Sequence, residues 1–371
     1  MEGLHWLSQG QSPYIGSSFH EPPLVLAVFH PLSTLPQYYT HILYIALDVF
    51  NAIALVGIAA AYVPFQYEDA KKGKILNEDK EWRHYEKLPL LLAALYLFNP
   101  FTILSCVGMS TIIFTNTSVL WAFFNALRGN TILALFFLAL GSYLSLYPIM
   151  LICPFILILQ RVHKQESPSV IYNCGLLLGF LGSLLWLSFE LLGSWEFLEK
   201  TYWFILTVPD LQPNIGLFWY FFTEIFSEFY NFFLFVLNTH TFVYAIPITL
   251  RIREHPVFAA WFLVAVITTF KSYPAVGDIS LLLSLLPMFY HKLQEMEYHV
   301  AAVICYLVLM VLYPILWHMW IYAGSGNSNF YYALNLVYAV TQTVLISDAL
   351  NAVLKRDFFI GLKSRRQRMN K

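Results

Sequence analysis

The chain has 371 residues, 58% of them hydrophobic and only 12% charged, with a mean hydropathy of +0.61. Soluble domains carry about 25% charged residues, so this composition excludes a water-soluble protein built round one core. The formal net charge of −1 gives no footprint for a nucleic-acid partner, and the roughly ten-residue alternating segments of a membrane β-barrel are absent.

In chain order, residues 1–40 are mixed, aromatic and rich in Pro and Gly. Apolar stretches follow near 41–63, 88–127, 130–160, 171–192, 217–250, 256–270, 279–290, 298–320 and 330–354. About 20 apolar residues suffice to cross a bilayer as helix. Some of these stretches hold two passes divided at Asn99-Pro100 and Tyr147-Pro148, because proline ends or kinks a helix. The predicted fold is all-α, a polytopic transmembrane helical bundle of about 10–12 passes or half-passes. One integral domain is expected over 1–371: a lumenal or re-entrant segment at 1–40, transmembrane helices over 41–354, and a basic cytosolic tail at 355–371.

Orientation follows from the basic residues. Loops 64–87, 161–169, 251–255 and 291–299, the Arg128 turn and the tail hold nineteen of the twenty-one Lys and Arg, and the alternate loops hold only Lys200 and Lys271. The positive-inside rule then places the basic set, with the C-terminus, in the cytosol. Residues 1–40 become lumenal, yet MEGLHWLSQGQSPYIG has no basic n-region leading into an apolar core. A further span is therefore expected before Met1; the competing reading makes 22–35 a weak or re-entrant span.

Cys106, Cys153, Cys174 and Cys305 all fall in apolar segments without metal-type spacing, so neither a disulfide framework nor a metal or other cofactor is expected. The one glycosylation sequon, Asn116-Thr117-Ser118, lies too near a membrane end to be used.

The stretch FWYFFTEIFSEFYNFFLF, residues 218–235, places Glu224 and Glu228 inside a phenylalanine-rich span. Read as one helix, it gathers Tyr220, Thr223, Glu224, Ser227, Glu228, Asn231 and Asn238 within an arc of about 140°, with Phe218, Phe221, Phe222 and Phe232 opposite. An ionisable group at mid-bilayer costs about 2.5–3.5 kcal/mol on insertion scales, so this seam should not face lipid. Three uses stay open: a contact with neighbouring spans or a partner subunit, a lipid headgroup or acyl-chain site, and a catalytic carboxylate pair. Asp48 with Asn51, three apart, and Asp348 read as intramembrane helix contacts, Glu190 as a snorkelling end residue, and His318 between Trp317 and Trp320 as an interfacial belt. Three segments assigned to the lumen are unusually polar or constrained: 12–24, 207–219 with Asn214, and 321–333 with Asn327, Ser328, Asn329 and Phe330. Their glycines permit tight turns and their Asn side chains hydrogen-bond both ways.

The strings FHEPPL, LFNPFTILSC, YLSLYPIML, TVPDLQPNIGLFWYFFTE, FKSYPAVGD and LWHMWIYAGSGNSNF resemble the PIG-U family over about residues 10–360. That resemblance implies a non-catalytic subunit of the glycosylphosphatidylinositol (GPI) transamidase of the endoplasmic reticulum membrane. The complex cleaves a C-terminal attachment signal from a proprotein and joins the new end to a GPI lipid. It implies as partners PIG-K, which would carry the catalytic Cys and His, PIG-T, PIG-S and the GPI anchor attachment protein, together with the GPI lipid and the proprotein signal. It also implies that Phe218, Trp219, Tyr220, Phe222 and their neighbours through Asn231 contact the lipid's acyl chains or a partner helix. The family's fold is similar to the membrane domains of GT-C-like glycosyltransferases. A dolichol-dependent mannosyltransferase is thus the alternative enzyme reading, although residues 1–40 offer Glu2 and Glu21 but no Asp as an acidic group. A lipid transporter or scramblase, using the intramembrane carboxylates as a path, is the third.

Overall fold

The computed structural model describes residues 2–16, 18–73, 86–164 and 168–369. In chain order the α-helices are α1 (Glu2–Ser8), α2 (Pro23–Ser33), α3 (Tyr38–Gly73), α4 (Leu88–Leu97), α5 (Pro100–Val107), α6 (Ile112–Leu127), α7 (Thr131–Ser145), α8 (Ile152–His163) and α9 (Val170–Leu192). They continue with α10 (Phe204–Thr207), α11 (Phe218–Glu224), α12 (Ser227–Phe242), α13 (Ala245–Arg251), α14 (Pro256–Phe270), α15 (Val276–Leu285), α16 (His299–Trp317) and α17 (Ser328–Met369). Among the described residues there is no strand. The basic segment 74–85, residues 165–167 and the last two residues of the tail lie outside the described residues.

Five helical stretches among the described residues are long and apolar enough to cross a bilayer: Tyr38–Gln66, Val170–Leu192, Ser227–Arg251, His299–Tyr322 and Ser328–Leu362. The pair α4 and α5, bent by 47°, makes a sixth if taken as one broken span. Six shorter apolar helices of 10–17 residues fill the bundle between them. The chain is a polytopic membrane helical bundle. Residues 355–369, within the segment expected as a basic cytosolic tail, continue the helix of the last span.

The breaks have local causes. Asn99 is extended (φ −70°, ψ 125°), as the residue before a proline prefers, and its side chain accepts a hydrogen bond from Phe101 N at 3.0 Å. Between α7 and α8 the chain turns at Leu146 into a short 3-10 turn over Tyr147–Leu151, around Pro148. Residues 23–33 form an 11-residue helix with Pro31 inside it; about 1.5 Å per residue makes it too short to cross a 30 Å core unaided.

The core centres on α14. Every residue from Pro256 to Thr269 is buried, as expected of a helix that is apolar on all faces. It packs against α8, α15 and α17, while α3, α6 and α7 form the adjoining layer. Trp261 is fully buried and donates from its indole nitrogen to Leu282 O at 3.1 Å. Asn116, the sequon residue, is buried at the heart of this packing and donates to Gly277 O at 2.8 Å. The turn after α14 holds a buried ion pair, Lys271 Nζ to Asp278 at 2.7 Å, and Asp278 also accepts from Ala275 N at 2.7 Å. Lys271, assigned by sequence to a loop between spans, lies in the turn between α14 and α15 with its side chain buried.

Candidate functional site

Two of the three constrained segments converge at one end of the bundle. In PDLQPNIG, Asp210 Oδ1 accepts from Gln212 N at 3.0 Å and Asn214 Oδ1 from Gly216 N at 2.7 Å, so each acidic or amide side chain folds its own turn. Gly216 is required by space: a Cβ there would lie 2.6 Å from Pro274 Cδ. The turn is then locked to the last span. Asn335, buried on α17, donates from Nδ2 to Asn214 O at 2.7 Å and to Gly216 O at 2.8 Å, and its Oδ1 accepts the Tyr313 hydroxyl at 3.0 Å. Tyr332 donates to Leu217 O at 3.1 Å.

This lock delivers α11 into an aromatic cluster. Trp219 is buried and stacks on Trp320 (centroids 6.1 Å), with Tyr332 edge-on at 5.8 Å; Trp320 in turn lies 5.9 Å from Tyr331. Tyr220 lies against Tyr332 at 4.5 Å and donates its hydroxyl to Asn329 Oδ1, with Glu224 and Ser328 beside it. The return loop leaves α16 through a π-helical turn, His318–Tyr322, closed by Ser325 N and Gly326 N bonding to Met319 O at 3.0 and 3.1 Å. Single π turns often mark functional positions. Asn327 accepts from Phe330 N at 3.2 Å, capping the start of α17. Asn327, Asn329 and Phe330 stay exposed, Phe330 by 58%. Rigid aromatic faces below and open amide groups above form a shallow amphipathic shelf.

The carboxylate seam is laid out differently from a single helix. Ile225 (φ −76°, ψ 146°) and Phe226 (φ −66°, ψ 141°) are extended, so Glu224 ends α11 and Glu228 opens the first turn of α12. The bend has a packing cause. Phe222 and Tyr230 rings approach to 4.7 Å and Phe221 and Phe233 to 5.2 Å, whereas residues eight apart on a straight helix are separated by about 12 Å of rise. Tyr230 secures the fold-back by donating to Thr207 O and Val208 O at 2.9 and 3.0 Å. The single arc over 218–235 therefore does not exist. Thr223, Glu224, Ser227, Glu228 and Asn231 are all exposed on the outside of the bundle.

The other polar groups serve the interior. Tyr96 donates to Asp48 Oδ1 at 2.8 Å and Asn51 Nδ2 donates to Tyr96 Oη at 3.0 Å, joining α3 to α4. Asp348 accepts from Glu297 N at 3.2 Å and Tyr298 N at 2.8 Å, which caps α16. Glu190 and His318 are exposed. Among the described residues no group of three His, Cys, Asp or Glu could hold a metal ion.

The family model described as GPI transamidase subunit PIG-U matches residues 1–338, which contain most of this shelf. This chain belongs to the PIG-U family. It is 40% identical over 379 aligned residues to the human GPI-anchor transamidase component PIGU, covering 97% of this chain and 86% of the human protein. To the GPI transamidase component GAB1 of Saccharomyces cerevisiae it is 32% identical over 368 residues, covering 97% of this chain and 86% of the yeast protein. Family membership extends across the whole site, because these alignments run through the 321–333 loop's side of the bundle as well as α11.

Proposed function

We propose that this PIG-U family chain is the multi-spanning, non-catalytic subunit of a GPI transamidase in the endoplasmic reticulum membrane. It helps present the GPI lipid, or the proprotein's attachment signal, to a catalytic subunit elsewhere in the complex. The observation that carries the reading is the shelf where α11 and the 323–330 loop meet, tied by Tyr220 and Asn329. Exposed Phe330 and half-buried Trp320, backed by the buried Trp219 on which Trp320 stacks, offer apolar faces at a membrane end, where tryptophan and tyrosine are at home. The open Asn327 and Asn329 amides offer donors and acceptors to a glycan or phosphoethanolamine head.

The outward carboxylates belong to the same proposal. Glu224, Ser227, Glu228 and Asn231 lie where no helix among the described residues covers them, and exposed carboxylates against hydrocarbon are costly. A partner subunit seated there removes that cost; PIG-T, PIG-S, PIG-K or the GPI anchor attachment protein are the proposed neighbours. The shelf is then lumenal and the C-terminus cytosolic.

The test is rescue of cells lacking their own component. Such cells are expected to accumulate complete GPI lipid and uncleaved proprotein, and this chain is expected to restore a GPI-anchored reporter to the surface. An incomplete glycan in the deficient cells would support a mannosyltransferase instead, and a wrongly sided lipid a scramblase.

A further inference from the structure

Away from the shelf, α2 and the segment before it roof a cavity of about 510 Å³ against the start of α3 and the turn between α5 and α6. Its wall is apolar, with Leu4, Phe19, Val25, Phe29 and Tyr44 facing inward. At its inner end the Thr111 hydroxyl donates to Glu21 Oε1 at 2.5 Å. Beyond that pair lies a second chamber of about 150 Å³, lined by Ser110, Ser145, Lys271 and Tyr273. Glu21, Val25 and Thr111 border both chambers. At the other end Ser33, Leu35 and Gln37 are exposed and form a mouth.

The inner end is held in place. Tyr14 donates to Glu21 O at 2.8 Å, Leu24 N donates to the Tyr143 hydroxyl at 3.1 Å, and His20 Nδ1 pairs with Lys200 O at 3.0 Å while its ring stacks on Phe204. The volume sets the size of an occupant. A cavity of about 150 Å³ holds benzene, or about 25 Å³ per carbon; on that measure the larger chamber takes roughly twenty carbons, one long chain. A mostly apolar pocket with a few convergent polar groups is the general form of a small-molecule site.

Charge sets the head. Lys271 is the cation at the inner chamber, and Asp278 already holds its ammonium at 2.7 Å. Glu21 faces the same space, and burial pushes its carboxyl above the usual range, against the pull of the Thr111 bond and of Lys271 and His20. Whether Glu21 is ionised or neutral, an incoming anion would find no uncommitted positive charge among the described residues that line the chambers and would lose its hydration. A hydroxyl head suffers neither penalty. It can donate to Glu21 and accept from Ser110, and it leaves the ion pair intact.

We propose that the two chambers form a binding site for a single-chain lipid with an uncharged, hydroxylated head, in class a long-chain alcohol or monoacylglycerol. The tail fills the apolar chamber from the mouth at Ser33–Gln37, and the hydroxyl meets Glu21 and Ser110. The chambers share no lining residue with the exposed shelf, although Tyr273 of the inner chamber donates to Asp210 O of the turn beneath it at 3.0 Å. The probe test below reads lipid uptake and not anchor transfer, so its failure leaves the anchor-transfer reading standing.

The test uses the full chain in phosphatidylcholine nanodiscs with two photoactivatable probes of equal chain length, monooleoylglycerol and oleoyl lysophosphatidic acid. Crosslinks mapped by mass spectrometry are expected on α2 and on residues 109–111, with the neutral probe favoured about tenfold, a modest value for unmatched charge in a buried site. Ser33→Trp, at an exposed position in the mouth, should abolish this labelling with thermal unfolding unchanged. Glu21→Ala, which removes the acceptor assigned to the hydroxyl, should weaken labelling by the neutral probe, and undiminished labelling would overturn that role. Equal or stronger labelling by the lysophosphatidic acid in the native chain would overturn the assignment of the head. Labelling confined to outer spans such as α9, or labelling that survives Ser33→Trp, would overturn the site itself.

Discussion

Asn335 carries more of the shelf than any residue that protrudes from it. Its amide satisfies a buried carbonyl, a half-buried carbonyl and a half-buried hydroxyl at once. Truncation to alanine leaves these groups unpaired at about 1–3 kcal/mol each before relaxation, so Asn335→Ala is expected to lower stability by about 3 kcal/mol, read as a lower unfolding temperature in detergent, and to reduce anchored reporter at the cell surface. Tyr220 and Asn329 test the tie between the two segments separately. Tyr220→Phe and Asn329→Ala should be non-additive by about 0.5–1.5 kcal/mol in a double-mutant cycle on unfolding; additive losses would mean that the bond does not bind the loop to α11. Asn214, Asn327 and Asn329 were legible in the sequence because they stand in glycine- and proline-rich turns where amide groups fold the backbone. Asn335 was not, because it sits inside an apolar run. Its one signal is position: it follows Tyr331 by four and precedes Tyr338 by three, on the buried face of the helix.

At the scale of elements, the proline breaks could be read from sequence and the break at Ile225–Phe226 could not. Proline acts locally, through its missing N–H and its clash with the preceding residue. The bend between α11 and α12 comes instead from Tyr230 reaching the carbonyls of Thr207 and Val208, a tertiary contact that periodicity cannot contain. It changes what the glutamates do. Glu228 now occupies the first turn of a helix, where a carboxylate is favoured by about 0.3–1 kcal/mol through the helix dipole. Glu228→Gln should therefore cost the isolated chain less than about 1 kcal/mol. If a partner covers this face, the same substitution should cause a far larger loss of co-purification with the other transamidase subunits. A variant that copurifies in full and still lowers anchoring would move Glu228 from partner contact to lipid contact.

For the whole molecule, the decisive arrangement is a bundle whose short helices surround one entirely buried helix, α14, with an ion pair at its end. The positive-inside pattern assigned Lys271 to a loop between spans because one sequence shows where a lysine falls along the chain, and not how deeply its side chain is buried. Fourteen residues of α14 are buried on every side, so the turn after it is drawn inward, and Lys271 can be tolerated there only with Asp278 beside it. That logic makes the two residues interdependent. Removing one charge leaves the other buried and unpaired, at about 3–5 kcal/mol, whereas replacing both with apolar groups of similar size is often neutral. Lys271→Met alone and Asp278→Leu alone are each expected to reduce folded yield and unfolding temperature severely, and the double variant to recover most of the loss. Because Lys271 also borders the small polar chamber, while its turn touches the shelf through Tyr273, which donates to Asp210 O at 3.0 Å, and Pro274 beside Gly216, a double variant that folds, reaches the shelf's normal reporter level and takes up the neutral probe poorly would separate the stabilising role of the pair from its place in the lipid site. A double variant as unstable as the single ones would show instead that the backbone of the turn, held through Asp278 and Ala275 N, depends on the carboxylate itself.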